Sequence, residues 1–129
     1  MVPIPASHAD ILQKRSFAHV ATADAQSIPQ VTPVWVDSDG DCILINTAKG
    51  RKKDRNLRRN PNVAISIQDP DDPYRYLGIQ GKIVQITEEG AVEHIHALSQ
   101  KYWGRDFDIP DGQVRVIYQI EPVRAWTMG

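Results

Sequence analysis

Apolar and polar residues alternate along several short stretches of the chain, and that alternation predicts strands. Asn62–Gln68 (NVAISIQ) alternates cleanly, and Tyr74–Thr87 reads as one long strand. Within the long one, Gly78 and Gly81 mark bulges or sites of close backbone approach. Phe17–Thr22, Gln30–Asp37, Cys42–Thr47, Gln113–Ile120 and a short Val123–Met128 complete the strand set. Pro33 has no N–H to donate, so Gln30–Asp37 is expected at an edge or a bulge. Asp37–Asp41 (DSDGD) reads as a hairpin turn with glycine where a positive φ is needed.

Helical spacing is confined to three places. Residues 7–14 suggest a short leading helix with Ser7 as N-cap. Glu88–Trp103 sets Ala91, Ile95, Leu98 and Tyr102 on one face and closes near Gly104. Residues 49–59 lack proline and β-branched residues and stop at Asn60-Pro61, which predicts a helix of about two turns. Six or so mostly consecutive strands with three short helices favour a small antiparallel β-barrel over an alternating βαβ sheet.

Composition changes this picture only through its distribution. The 129 residues are enough for one domain, spanning 1–129, with a core that needs no metal or disulfide. Charged residues make up 24% and hydrophobic residues 41%, ordinary for a globular protein. The longest apolar run is Cys42–Ile45, too short for a membrane helix or a signal-peptide core. A single cysteine excludes an intrachain disulfide and a multi-cysteine zinc site, and it fits a reducing cytoplasm.

The net charge is only −1, yet residues 49–59 (KGRKKDRNLRR) hold seven of the fifteen basic residues and one of the sixteen acids. This cluster runs from a strand end through Lys49-Gly50 into a helix start. A helix start offers free N–H groups and the positive end of the macrodipole. Such a site takes an anion, a phosphate ester above all. A solvated cationic face is the plain alternative, and a nucleic-acid patch a further one. The latter is disfavoured by a pI near 6.4 and by the absence of interleaved aromatics.

Other chemistry is thinly represented. His94 and His96 lie two apart on a predicted helix, point in different directions and cannot share a metal; they read as surface or half-buried residues. His19 sits within a strand and fits a core or a site role equally. Asp69, Asp71 and Asp72 are interrupted by prolines and lack the spacing of a calcium loop. Cys42 reads as a small buried hydrophobe. No G-x-S-x-G or H-E-x-x-H motif occurs. Trp35, Trp103, Trp126, Tyr102 and Tyr118 could serve the core, a dimer interface or a substrate pocket.

The run NTAKGRKKDRNLRRNPNVAISI followed by YRYLGIQGKIV resembles the flavin-binding split-barrel superfamily, which includes the pyridoxamine 5′-phosphate oxidases. The pattern K-G-R-x-K-x-R-N-L-R-R-N-P, followed by D-P-x-x-P-Y-R-Y, is more similar to the deazaflavin branch, the small F420-dependent oxidoreductases of actinobacteria. The similarity extends from about Phe17 to Trp126. It implies a six-stranded antiparallel split barrel forming a homodimer, with cofactor sites at the interface. It implies that Arg51 and Lys53, with Lys52 beside them, grip the phosphate, that Thr47 and Lys49 sit on the loop covering the phosphate and ribityl chain, and that Asn46, Ala48 and Gly50 also belong to the cofactor site. Thr32, Pro33 and Val34 would lie against the ring, and Asn56 and Tyr76 would add contacts.

The implied function is a reductase using coenzyme F420 on a small hydrophobic substrate, with no nucleic-acid or membrane partner. The implied alternatives are an FMN flavoprotein and a non-catalytic cofactor- or haem-binding protein of the same fold. In the oxidases proper, basic residues on the strand equivalent to 28–36 contact FMN. Here that strand reads IPQVTPVWV and has none.

Overall fold

The computed structural model describes all 129 residues. Seven strands make one sheet: β1 (Phe17–Ala23), β2 (Pro29–Trp35), β3 (Asp37–Ser38), β4 (Ile43–Ala48), β5 (Asn62–Asp69), β6 (Asp72–Thr87) and β7 (Arg115–Met128). Their order is β2-β1-β5-β6-β7-β4-β3, and every neighbouring pair is antiparallel. The chain is mainly β, and the curled sheet forms a half-barrel of the split-barrel kind.

The count of seven corrects the expected six: β3 is an added strand, while two of the expected stretches fuse. Gln113–Ile120 and Val123–Met128 are one continuous strand, because Glu121 and Pro122 keep pairing with β6 through Lys82 and Gly81. The expected turn at 37–41 gives up its first two residues to β3, which pairs with Ile43 and Leu44. β6 begins at Asp72, two residues before the expected start at Tyr74. The leading helix is a 3₁₀ turn, Ala9–Gln13, and Ser7 does not cap it; the Ser7 hydroxyl meets His8 Nδ1 at 2.8 Å instead.

Alternation places Val63, Ile65 and Ile67 of β5 inward and their neighbours outward. The inward residues join Ala18, Val20, Ile43, Ile45, Leu57, Leu77, Ile79, Tyr118 and Ile120 in one core cluster. Pro33 lies on β2 at a sheet edge, as its missing N–H requires. Helix α1 (Lys52–Arg59) buries Leu57 and Asn56. Helix α2 (Ala91–Trp103) lays Ile95, Leu98 and Tyr102 inward and ends at Gly104 in the left-handed region, with its N–H bonded to Ser99 and Gln100 carbonyls.

Both glycines of β6 act as expected. The ladder shifts register between Gln80 and Gly81, and a Cβ at Gly81 would press on Ile120. At Gly78 an added methyl would overlap the indole of Trp126, its partner across the ladder. Gly78→Ala is therefore expected to turn that indole off the sheet. Tryptophan emission should shift to the red and Tm should fall by a few degrees. Unchanged emission, with a Trp126→Phe control to assign it, would contradict this packing.

Candidate functional site

The basic segment is held by a buried carboxylate. β4 delivers Asn46-Thr47-Ala48, the chain turns at Lys49-Gly50, and α1 follows. Gly50 takes φ 92, and nothing lies within 4 Å of where its Cβ would be. Glycine thus serves the positive φ here and not a close backbone approach. Its N–H donates to Asp54 Oδ2 at 2.8 Å. Asp54 also accepts from Arg58 Nε at 2.9 Å and from the Tyr118 hydroxyl. Turn, helix and β7 are fastened together through one side chain.

Beside this turn opens a cleft of about 200 Å³. Phe17, Pro33, Val34, Trp35, Asn46, Thr47, Arg51, Lys53, Ile95, Phe107 and Arg115 line it. Three cations face it and no carboxylate does. Burial, reinforced by the charges of Arg51 and Arg115, lowers the Lys53 ammonium to about 8. Burial and Arg51 also lower the Arg115 guanidinium to about 10. Arg115 is held by Asn46 Oδ1 at 2.9 Å and Gln113 Oε1 at 3.0 Å, and it lies 5.0 Å over the Phe107 ring. These shifts register positive charge without a counter-ion, and a bound anion would supply one.

The far wall is aromatic. Trp35 stacks on Tyr102 at 5.1 Å and meets Trp103 and Phe107 edge-on at 4.6 and 6.0 Å. A second cleft, of about 470 Å³, shares Phe17 and Pro33 with the first and runs over Arg15, His19, Gln68, Asp69, Pro70 and Pro73. Asp69 is already engaged there by Lys14 at 2.9 Å and Arg75 at 2.8 Å. The two clefts thus adjoin at Phe17 and Pro33.

The structure gathers Pro33, Val34, Asn46, Thr47, Arg51 and Lys53 around the cleft. Thr32, Ala48, Gly50 and Lys52 flank these residues in the chain without lining it. Lys49 turns aside to Glu88 at 3.0 Å. Asn56 does not reach the cleft: it is 4% exposed, and its amide donates to Thr22 Oγ1 at 3.1 Å inside the fold. Its expected cofactor contact is replaced by a core role. Tyr76 lies on β6 between Gln68 and Met128 and does not line this cleft.

Trp35 takes the pocket role left open for it, while Arg115, Phe17, Ile95 and Phe107 enter the site unanticipated. Only Arg115 left a sequence signal, a lone charge in QVRVIYQI. His94 and His96 are half-buried, as expected. No group of three or more His, Cys, Asp or Glu residues could hold a metal. No helix is long and apolar enough to cross a membrane.

Known proteins share this fold. The family profile of pyridoxamine 5′-phosphate oxidase matches residues 4–129. A solved structure described as an F420 reductase is 30% identical, with a TM-score of 0.85, covering 95% of this chain and 98% of its own. A conserved hypothetical protein from Mycobacterium tuberculosis is 25% identical over 99% of this chain and 86% of its own, with a TM-score of 0.76. A heme storage protein from Vibrio cholerae, 15% identical with a TM-score of 0.70, covers 99% of this chain and 96% of its own and shares the fold alone. No curated protein sequence matches the chain.

Proposed function

We propose a function for this chain from two premises: it belongs to the pyridoxamine 5′-phosphate oxidase family, and it presents a three-cation cleft against an aromatic wall. The reading is a cytoplasmic, homodimeric reductase. It uses reduced coenzyme F420 to pass a hydride to an electron-poor double bond or conjugated carbonyl of a small hydrophobic substrate. The observation that carries it is the convergence of Arg51, Lys53 and Arg115 with no acid among them. That donor set suits a phosphate ester.

When bound, the cofactor supplies the hydride chemistry, and the chain supplies binding and orientation. Arg51, Lys53 and Arg115 would hold the phosphate, with the Thr47 hydroxyl beside them. The β2 edge at Pro33-Val34 would support the ring, and Phe17, Trp35 and Phe107 would keep water from it. A cleft of about 200 Å³ is smaller than the roughly 300–1,000 Å³ of most ligand sites. A second copy completing it would account for that, and Tyr76 would then meet the cofactor across the interface. The lack of basic residues on 28–36 and the similarity to an F420 reductase favour deazaflavin over FMN.

Paired equilibrium titrations with oxidised F420 and with FMN, followed by cofactor fluorescence, test the reading. Micromolar or tighter F420 binding with much weaker FMN binding is the expected result. The reverse order would make the protein an FMN flavoprotein. Binding of neither would return the basic segment to a solvated face.

A further inference from the structure

We propose that His94 and Asp37 are positioning residues for the anion cleft: they fix the amide of Asn46, which in turn aims Arg115. The proposal deepens the phosphate-site reading and rests on it. Four elements meet here, with Asp37 on β3, His94 on α2, Asn46 on β4 and Arg115 on β7. Arg115 is 5% exposed and Asn46 8%, so neither has bulk water to satisfy it.

Hydrogen-bond polarity dictates the arrangement. A guanidinium has donors only, so Arg115 Nε, 2.9 Å from Asn46 Oδ1, requires the oxygen of that amide and not its nitrogen. Rotation about the last torsion of Asn46 would exchange the two unless neighbours decide. The Ala91 carbonyl, an acceptor only, lies 2.9 Å from Nδ2. His94 Nδ1 lies 3.2 Å from the same nitrogen and must accept its second hydrogen. The His94 proton must then sit on Nε2, where Asp37 Oδ2 accepts it at 3.1 Å. Reversing the amide would set two donors against each other at Arg115 and two acceptors at Ala91.

Gln113 holds Arg115 Nη1, which leaves Nη2 without a protein acceptor and free for an anion. A simple tie between α2 and β3 would need only the His94–Asp37 contact. The continuation through Asn46 to a cleft-lining cation is what assigns the chain of bonds to the site.

A double-mutant cycle separates aiming from general packing. His94→Phe keeps the ring volume and removes both nitrogens. It is measured alone and in an Arg115→Met background, with inorganic phosphate as the probe and the Thr47 and Lys53 amide resonances as the readout. The expected result is about three- to tenfold weaker phosphate binding in the single variant and no further loss in the Arg115→Met background. Equal losses in both backgrounds would overturn the proposal.

In the ligand-free wild type, nitrogen NMR should place the His94 proton on Nε2 and show a slowly exchanging Arg115 Nε–H that is lost in His94→Phe. A proton on Nδ1, or an Arg115 signal unchanged by the variant, would also overturn it. If the wild type binds no phosphate, the phosphate-site reading fails, and the Arg115 signal still decides whether Asn46 is aimed by His94. Should His94→Phe not fold, Asp37→Ala tests the same chain of bonds by freeing the imidazole tautomer.

Discussion

Lys53→Ala is expected to weaken cofactor binding by about 1.5–3 kcal/mol, roughly ten- to hundredfold in Kd, the range for a charge-assisted hydrogen bond. The effect should depend on pH in a defined direction. Burial first, then Arg51 and Arg115, lower the Lys53 ammonium from 10.5 to about 8. Between those values the unfolded chain holds a proton that the folded chain lacks. Ligand-free stability should therefore rise with pH across about 8 to 10.5, with the full penalty present below 8.

A bound phosphate reverses the balance, because its charge favours the protonated amine. Binding then takes up a proton above pH 8, and affinity should fall by as much as about tenfold per pH unit there. A phosphate monoester is already dianionic above about pH 7 and a diester stays monoanionic throughout, so the ligand's phosphate titration does not confuse the reading. Isothermal titrations from pH 7 to 9.5 would show the slope, and Lys53→Ala should flatten it. Affinity and slope both unchanged in the variant would remove Lys53 from the phosphate site.

Asp54→Ala is expected to cost about 2–4 kcal/mol and lower Tm on the order of 10 °C. Tyr118 is fully buried, and without Asp54 its hydroxyl would lose its acceptor. The Gly50 N–H and Arg58 would also lose theirs. Burial alone would raise the Asp54 carboxyl, but the Gly50 N–H, the Tyr118 hydroxyl and Arg58 outweigh it and leave it below the usual value. Its contribution is present above pH 3.8 and lost as pH falls through the lowered folded value, so the variant should also show a blunted acid transition. Because the same carboxylate sets the Gly50 turn, cofactor binding should weaken as well. A Tm within 2 °C of wild type would show that the network does not secure the turn.

Much of the strand layout was legible because alternation has a period of two whatever the strand pairs with. β5 and α2 were read nearly residue for residue, and Pro33 and Gly81 declared an edge and a bulge through backbone chemistry alone. The two-residue β3 was not legible, since its pairing with β4 depends on where the hairpin closes. Nor was the fusion of the last two strands, since β6 alone carries pairing past Pro122. Asn56 was misplaced for a related reason. It stands in the basic run, but one helical face of α1 faces the core, and Thr22 waits there.

By itself, then, the sequence determined most of the strands, the concentration of positive charge at 49–59 and the short helix within that segment. Those depend on neighbours within a few residues, where side-chain period, proline and glycine act directly. Only the tertiary structure decided which cations converge. It brought Arg115 from 62 residues beyond Lys53, turned Lys49 to Glu88, and set Phe17, Trp35 and Phe107 as a wall. A cleft is made by elements that touch without being adjacent in the chain, and the burial that shifts Lys53 exists only once they have packed.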